Sequence, residues 1–368
     1  MNAKCPMLFE PVQIHNLKLP SRIVMAPMTR NFSPGGIPGD NVAAYYRRRA
    51  AAGVGLIITE GTTVDHPASN GYPKVPHFYG EQALAGWKNV VDEVHRAGGL
   101  IAPQLWHVGY IRKRGMEPDP SVPGYGPMEI KKGDEIETIA MTEEDIGLVI
   151  AAFASAAKSA QEIGFDAIEI HGAHEYLIDQ FFWEGSNQRT DRYGGSLENR
   201  LNFAIEIIQA VRAAVGPDYP IIFRFSQWKP SDFKAKLAKT PEELERFLSP
   251  LVKAGVDIFH ASTRRFWEPE FAGSDLNLAG WTKKISGKPT ITVGSVGLDN
   301  TFTSSFGGKT AMPTGLGSLV ERIENKEFDL VAVGRALLAD ADWISKIRDG
   351  REEEIKPYIH GTVLKSLS

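Results

Sequence analysis

Two imidazoles and a phenol fall within six residues in the segment His171-Gly-Ala-His174-Glu-Tyr176. The segment follows an apolar run at 165–170 that predicts a short buried strand. Two ring N–H groups can hold a carbonyl oxygen while negative charge develops on it, and a nearby phenol can protonate the adjoining carbon. In barrel enzymes this chemistry is placed at the carboxyl ends of the strands, which is where the segment lies.

The elements that must position these side chains alternate between strand and helix. Two helices have explicit start signals: Thr142 with Asp145 resembles a capping box, and Thr240 precedes Pro241 and Glu243. Eight strand–helix units with buried strands predict an α/β fold, a (β/α)8 TIM barrel, rather than an open sheet. The predicted strands are 23–26, 55–59, 100–105, 167–170, 221–225, 257–261, 290–293 and 330–333.

Two insertions interrupt this alternation. The turn-rich stretch 109–141, after strand three, predicts a loop and a small β-hairpin at 130–139 that cap the barrel mouth. The stretch 296–327, after strand seven, contains a Gly/Thr/Ser-rich run at 304–317 and predicts an extended loop with a short helix. Neither an internal repeat nor a linker of shifted composition is found, so residues 1–368 are predicted to form a single domain.

The composition favours small-molecule partners. A net charge of −4 offers no basic field for nucleic acid or for an anionic membrane surface. The single cysteine, Cys5, excludes an internal disulfide framework and a thiolate-bound cluster within one chain, and it fits a reducing compartment. Because neither a signal-like start nor an apolar run of roughly 18 residues occurs, we expect a cytoplasmic protein without a membrane partner. The sequence leaves a homo-oligomer open.

Glycine turns after strands seven and eight predict a phosphate site. The dinucleotide-binding Gly-x-Gly-x-x-Gly pattern and the P-loop pattern are both missing from the strand ends. Strand seven ends in Gly294-Ser295 and strand eight in Gly334-Arg335, and these two loops of a barrel commonly bind phosphate. The alternative is that both glycines form ordinary turns and that Arg335 is a solvated surface charge.

Two polar residues interrupt apolar strands. Gln104 lies near the end of strand three, where a buried amide needs a partner that a heterocyclic ligand would provide. Arg224 lies inside strand five, where an unpaired guanidinium is costly, so it should meet an anion or an electron-rich ring. Alternatively, Arg224 pairs with Glu169 or Asp257 on a neighbouring strand.

Together these residues resemble the Old Yellow Enzyme family of FMN-dependent ene-reductases, also called NADH:flavin oxidoreductases. The most specific element is the His-x-x-His-x-Tyr segment joined to the run Asn-Gln-Arg-Thr-Asp-Arg-Tyr-Gly-Gly-Ser-Leu-Glu-Asn-Arg at 187–200. The matching positions extend over residues 22–345, which is nearly the whole chain. They are Ala26-Pro-Met-Thr29, Glu60-Gly61, Gln104-Leu-Trp106, His171-x-Ala-His174-x-Tyr176, 187–200, Arg224 and Gly334-Arg335.

The resemblance implies one FMN-binding TIM-barrel domain, with tightly bound, non-covalent FMN and NAD(P)H as co-substrate. It implies ping-pong reduction of the C=C bond in α,β-unsaturated carbonyl or nitro compounds. His171 and His174 would bind the activating oxygen, and Tyr176 would protonate the α-carbon. The residues implied to bind FMN, the last four through its phosphate, are Pro27, Met28, Thr29, Gly61, Gln104, Arg224, Gly294, Ser295, Gly334 and Arg335.

Two loops depart from the family pattern. The family often reads Phe-Leu-Ser-Pro where this chain has Phe181-Phe-Trp-Glu-Gly185, and Ser-Pro where it has Ser226-Gln-Trp228. Bulky aromatics thus lie near the expected mouth, where they would stack on a planar substrate or pack on the scaffold. The residues predicted to contact substrate, besides His171 and His174, are Trp106, Trp183, Trp228 and Trp267.

Two other functions stay open. One is a flavin-binding barrel without ene-reductase turnover. The other is a metal-dependent barrel hydrolase in which Glu60, His107, His171 and His174 would ligate zinc. The zinc hypothesis leaves Tyr176 without a role, so we expect an activated alkene as substrate and no metal. The sequence distinguishes neither NADH from NADPH nor one alkene from another.

Overall fold

The computed structural model describes residues 5–301, 304–305 and 307–368, and in it the eight predicted strands close into a barrel. Each strand pairs in parallel with the next one along the chain, and the eighth pairs with the first. The predicted (β/α)8 fold is therefore confirmed. The barrel strands are Ile23–Met25, Leu56–Thr63, Leu100–Trp106, Ile168–Gly172, Ile221–Ser226, Ile258–Ser262, Thr290–Val293 and Leu330–Val333.

The barrel interior changes from apolar to polar along the strands. Residues paired across parallel strands share one face, and residues two apart on a strand also share it. Near the amino ends the interior holds one apolar cluster that includes Ala102, Ala167, Ile222 and Ile258. Two positions further along, the same strands carry buried polar side chains, which are Gln104, Glu169, Arg224 and His260.

A short antiparallel hairpin, Val12–Ile14 with Leu17–Leu19, precedes the barrel and was missed by the sequence analysis. Its side chains Ile14, Leu17 and Leu19 belong to the same apolar cluster as the barrel interior. The hairpin therefore closes the amino-terminal end of the barrel, and polar chemistry is left to the other end.

Helices surround the barrel and bury their apolar faces against the strands. Both predicted starts are confirmed: Thr142 and Asp145 form a capping box, and the Thr240 side chain accepts from the Glu243 N–H. The α-helices are Asp40–Ala52, Glu81–Arg96, Glu143–Ile163, Leu177–Phe182, Leu197–Val215, Pro241–Ala254, Leu278–Ser286, Gly317–Glu324, Arg335–Ala339, Trp343–Arg348 and His360–Val363, and the 3-10 helices are Pro6–Phe9, Pro34–Gly36, Gly109–Ile111 and Glu352–Glu354.

One helix in the described part of the chain, Glu143–Ile163, is long and apolar enough to cross a membrane by length and composition. Seven of its residues are buried, among them Val149, Phe153 and Ala160, and it packs on Leu197–Val215. In this structure the helix belongs to the outer layer of the barrel.

The first insertion forms the predicted hairpin from Ile130–Lys132 and Glu135–Ala140. The strand Gly124–Gly126 pairs in parallel with Glu135–Ala140, so the insertion is a three-stranded sheet and more than a hairpin. In the second insertion the short helix is Gly317–Glu324, while the predicted loop positions 302, 303 and 306 lie outside the described residues.

Candidate active site

The turn after the fourth strand brings the predicted clamp and proton donor together. His171 is the last residue but one of this strand, and His174 and Glu175 follow with φ of 58° and 65°, in the left-handed region that non-glycine residues rarely adopt. The chain therefore reverses within a few residues, and Tyr176 precedes the helix Leu177–Phe182. The ring centroid of His171 lies 5.4 Å from that of His174 and 5.0 Å from that of Tyr176.

Hydrogen bonds indicate which ring nitrogens donate. Nδ1 of His171 accepts from the Ala173 N–H at 3.2 Å, so its proton lies on Nε2. Nε2 of His174 lies 2.8 Å from the Ser262 hydroxyl, whose oxygen also accepts from the Arg224 guanidinium at 3.4 Å. The Ser262 hydroxyl can donate to His174 Nε2, and in that tautomer Nδ1 of His174 carries the N–H.

Both imidazoles are neutral donors near neutral pH. Burial lowers the pKa of His171 and the pKa of His174 well below the usual value, and the nearby Arg224 charge lowers both further. A neutral N–H pair can bind a carbonyl oxygen and stabilise developing negative charge without itself titrating.

The Tyr176 phenol is a protonated donor beside this pair. Burial raises the pKa of Tyr176 well above its usual value, and the Tyr72 phenol, whose hydroxyl oxygen lies 3.0 Å away, adds to the effect. Tyr72 also stacks on Trp106, with centroids 5.4 Å apart. Tyr72 was not predicted from the sequence, because it lies in the irregular segment between the second strand and the helix Glu81–Arg96, where no periodicity distinguishes it.

A buried network orients Gln104. Its Nε2 donates to Glu169 at 2.8 Å, so the amide oxygen is left as an acceptor for a ligand N–H. The second Glu169 oxygen lies 2.6 Å from Nδ1 of His260. Glu169 thus supplies one of the hydrogen-bond partners of the Gln104 amide that were expected to come from a ligand. Neither this role of Glu169 nor His260 was predicted from the sequence, although both are polar residues in apolar strands, which is the signal that distinguished Gln104.

Arg224 is buried without a carboxylate partner. Glu169 is engaged by Gln104 and His260, and Asp257 forms an ion pair with Arg212. The alternative in which Arg224 pairs with Glu169 or Asp257 is therefore wrong. Its Nε is buried and unpartnered, and burial lowers its pKa. Such a group is stabilised by an anionic or electron-rich ligand.

Arg335 joins the loops after strands seven and eight. Arg335 is 8% exposed, and its guanidinium donates to Ser295, Asn300 and Ser305, so the alternative of a solvated surface charge is wrong.

The turn after strand seven requires glycine at position 294. Gly294 has φ of 150°, and a Cβ there would lie 2.6 Å from the Thr263 hydroxyl. The structure brings Gly294, Ser295, Gly334 and Arg335 to the carboxyl ends of two adjacent strands, and their phosphate role stays a prediction.

The exits of the first two strands lie close to these residues. Pro27 and Met28 are half-buried and Thr29 is exposed. A Cβ on Gly334 would be 3.4 Å from the Met28 sulfur, and a Cβ on Gly61 would clash with the Trp106 ring at 2.5 Å. Glycine at position 61 therefore permits the close packing of Trp106, whereas a Cβ at position 334 would make only an ordinary contact.

The four tryptophans divide into two pairs. The Trp106 ring stacks toward His171, and its centroid lies 4.9 Å from that of Tyr176, with the two rings edge to face. The ring centroids of Trp228 and His174 are also 4.9 Å apart.

The other two tryptophans lie elsewhere. Trp183 lines a separate pocket of about 140 Å³ with Arg200 and Lys236. Trp267, 38% exposed, packs edge-on against Phe266. Among the described residues the structure brings Trp106 and Trp228 to the clamp, but neither Trp183 nor Trp267.

The four residues of the zinc hypothesis have other partners. Nδ1 of His107 accepts from Gly109, and its Nε2 lies 3.0 Å from His66. The Glu60 carboxylate accepts from two backbone N–H groups in the loop after the first strand, and burial raises the pKa of Glu60 to about 7. In the described ranges no group of three or more His, Cys, Asp or Glu side chains is arranged for a metal ion.

Acid is expected to destabilise the fold through the His66–His107 pair. Burial lowers the pKa of His66 to about 4 and that of His107 well below 6.5. Below pH 6.5 the two histidines bind protons in the unfolded chain but stay neutral in the folded one, so the contribution of this pair to stability is full above 6.5 and is lost as the pH falls toward 4. Urea unfolding at pH 7.5 and pH 5 measures this loss, and the variant His66→Gln should show a smaller one. An equal loss in both proteins would contradict the assignment.

The sequence matches the family model described as the NADH:flavin oxidoreductase / NADH oxidase family over residues 7–354. The chain belongs to this family. The Old Yellow Enzyme resemblance is thereby confirmed, and the chain is an NAD(P)H-dependent FMN oxidoreductase.

Relatives within the flavin oxidoreductase family agree in sequence and in fold. The 12-oxophytodienoate reductase 7 of Oryza sativa subsp. japonica is 34% identical over 360 residues, which is 93% of this chain and 87% of the relative. The NADH oxidase of Thermoanaerobacter brockii is 35% identical over 96% of this chain, which spans about half (52%) of that protein's length. A structure of morphinone reductase in complex with tetrahydroNAD has 29% identity and a TM-score of 0.78, covering 94% of this chain and 91% of that one.

The site fits the FMN of the flavin oxidoreductase family on three observations. Arg224 is a buried cation whose Nε lacks a partner, Gln104 has an amide oxygen left to accept, and Arg335 is buried in the loops after strands seven and eight. An electron-poor ring system that gains negative charge on reduction complements the first two, and a phosphate complements Arg335.

Replacing Arg224 by methionine is expected to raise the Tm of the apoprotein and weaken FMN binding by about 10- to 100-fold. A buried charge without a counter-ion costs stability, whereas charge-assisted contacts to a bound flavin are worth about 1.5–3 kcal/mol. Thermal unfolding and flavin fluorescence titration measure the two quantities. The matched control Arg212→Met, which leaves Asp257 unpaired, should lower the Tm and leave FMN affinity unchanged. Unchanged FMN affinity in Arg224→Met would contradict the fit.

Proposed function

We propose that this oxidoreductase reduces the C=C bond of activated alkenes, those conjugated to a carbonyl or nitro group, in a ping-pong reaction. The observation that carries the proposal is the pair of neutral imidazole donors with a protonated phenol beside them, close to the buried guanidinium of Arg224, which shares the Ser262 hydroxyl with His174. Relatives named as reductases of 12-oxophytodienoate and as morphinone reductase support it.

Each side chain has one task in this reaction. Nε2 of His171 and Nδ1 of His174 donate to the carbonyl or nitro oxygen and stabilise the charge that collects there. The Tyr176 hydroxyl gives its proton to the α-carbon. FMN, when bound, would supply the hydride chemistry between NAD(P)H and the β-carbon. Trp106 and Trp228 flank the clamp and exclude water from the oxygen.

FMN would be held by residues from six strand ends. Arg224 and Gln104 would contact the ring system, and Arg335 with Ser295 would bind the phosphate. Completing the proposed FMN set are Pro27, Met28, Thr29, Gly61, Gly294 and Gly334. The proposed order is ping-pong, because the nicotinamide and the alkene would both have to bind at the histidine clamp.

A visible spectrum under anaerobic conditions tests the proposal. The purified holoprotein should be yellow, lose its colour on addition of NAD(P)H, and regain it when cyclohexenone or a nitroalkene is added. Bleaching without alkene-dependent recovery would support a flavin-binding barrel without turnover. A colourless protein that binds zinc would support the hydrolase instead. Initial rates with NADH and with NADPH then identify the preferred co-substrate.

A further inference from the structure

Glu175 lies between His174 and Tyr176 and has no task in the reaction described above. It is 6% exposed and has φ of 65°, a backbone conformation that is unfavourable for a residue with a side chain. A strained, buried carboxylate between two active-site residues is retained only if its contacts hold it there.

The Glu175 carboxylate joins three loops. Oε1 accepts from the Tyr110 hydroxyl at 2.5 Å, and Tyr110 belongs to the loop after the third strand. Oε2 accepts from the Ser231 N–H at 3.0 Å and from its hydroxyl at 2.6 Å. Ser231 lies in residues 227–240, the loop after the fifth strand, which we call the strap. Glu175 itself belongs to the turn after the fourth strand.

The backbone of Glu175 is held as firmly as its side chain. Its N–H donates to Asp179 at 2.7 Å, and its carbonyl accepts from Gln180 at 2.7 Å. The other Asp179 oxygen accepts from the fully buried Lys229 of the strap at 2.7 Å. The turn and the strap are therefore linked twice, once through Glu175 and once through Asp179.

The strap also contacts the clamp directly. Trp228, at the beginning of the strap, packs on the His174 ring. The Ser226 hydroxyl, just before the strap, accepts from the backbone N–H of His174 at 3.1 Å. A displacement of the strap would consequently move His174, and a change at Glu175 would move the residue on either side of it.

We propose that Glu175 is a positioning residue, which locks the turn to the strap and so fixes His174 and Tyr176 at the distance the alkene reaction needs. This inference rests on the proposed function, in which Tyr176 is the proton donor. The lock acts through geometry and not through charge, since the groups that act on the Tyr176 hydroxyl are Tyr72 and Arg224.

Two substitutions at one position separate geometry from charge. Glu175→Gln removes the charge but keeps an oxygen that accepts from Ser231 and an amide that donates to the Tyr110 hydroxyl. Glu175→Gly removes all three side-chain contacts, and glycine adopts a φ of 65° without strain, so the variant is expected to fold. A misplacement of about 1 Å at a reacting group can cost on the order of 100-fold in rate.

Stopped-flow absorbance on the FMN-loaded proteins gives the first readout. Reoxidation by cyclohexenone should be about 10- to 100-fold slower in Glu175→Gly than in the wild type. In Glu175→Gln it should stay within about threefold, because the contacts are preserved. Reduction by NAD(P)H should change far less in either variant, since it takes no proton from Tyr176.

Amide hydrogen exchange gives a second readout that is independent of activity. The Ser231 N–H has the Glu175 carboxylate as its acceptor, so its exchange should accelerate in Glu175→Gly and remain slow in Glu175→Gln. If Glu175→Gly fails to fold, the double variant Tyr110→Phe with Ser231→Ala removes two of the three donors instead. It should show the same slow reoxidation.

Two results would overturn the inference. Reoxidation at the wild-type rate in Glu175→Gly would show that the lock is dispensable, and equal losses in the Gln and Gly variants would show that charge is what matters. The proposed function itself would be overturned if NAD(P)H bleached the wild-type protein and none of the added alkenes restored its colour. That failure is recognised before any variant is compared.

Discussion

Replacing Tyr176 by phenylalanine is expected to slow alkene reduction by roughly 10²–10⁴ while FMN reduction by NAD(P)H proceeds unchanged. The phenol keeps its proton, because burial and the Tyr72 hydroxyl both raise its pKa. Phenylalanine removes only the hydroxyl and preserves the ring that packs on Trp106 and His171. The loss should therefore fall on the proton transfer alone.

Stopped-flow absorbance, with each half-reaction followed separately, measures this effect for Tyr176→Phe. The matched control is Tyr72→Phe, which removes the hydroxyl 3.0 Å away but keeps the donor, and its loss should be about tenfold or less. If both half-reactions of Tyr176→Phe ran at the wild-type rate, Tyr176 would not be the donor.

Removing one imidazole from the clamp is expected to cost about 3 kcal/mol of transition-state stabilisation, or roughly 150-fold in kcat. His174→Ala deletes the Nδ1–H donor that the Ser262 contact leaves free. His174→Asn is the informative partner, because its amide nitrogen can occupy the place of Nδ1 and still donate. We expect the asparagine variant to retain most of the rate and the alanine variant to lose it.

The pH profile of alkene reduction gives an independent check on the clamp. The pKa of both imidazoles is depressed by burial, so neither ring gains a proton as the pH falls from 8 to 6. The rate should accordingly show no step from these histidines in that range. A step near pH 6.5 that disappears in His174→Asn would contradict the neutral-donor assignment.

The barrel was predictable because its strands are short apolar runs, and all eight predicted runs overlap observed strands. The histidine clamp was predictable because its members are neighbours in sequence. Polar residues in apolar strands, such as Arg224, were visible for the same local reason. The sequence did not decide which of these polar residues bond to one another. Glu169 could have formed an ion pair with Arg224, but its carboxylate instead hydrogen-bonds to Gln104 and His260.

The residues that sequence reasoning missed depend on contacts between distant segments. Tyr72 reaches Tyr176 across 104 positions, and Ser231 reaches Glu175 across 56. For the aromatic loops the prediction was too broad. Trp183 and Trp228 were both predicted to contact substrate, but of these two only Trp228 packs on His174. Proximity to a strand end predicts which loop a residue belongs to, but not the side of the loop on which its ring packs.

The hairpin that seals the base of the barrel has a practical consequence. Ile14, Leu17 and Leu19 complete an apolar layer that contains none of the polar residues Gln104, Glu169, Arg224 and His260 above it. Stability and substrate choice therefore depend on different layers of the barrel. The loops around the rim can accordingly be exchanged for those of other members to change which alkene is accepted, while the apolar layer continues to support the same scaffold.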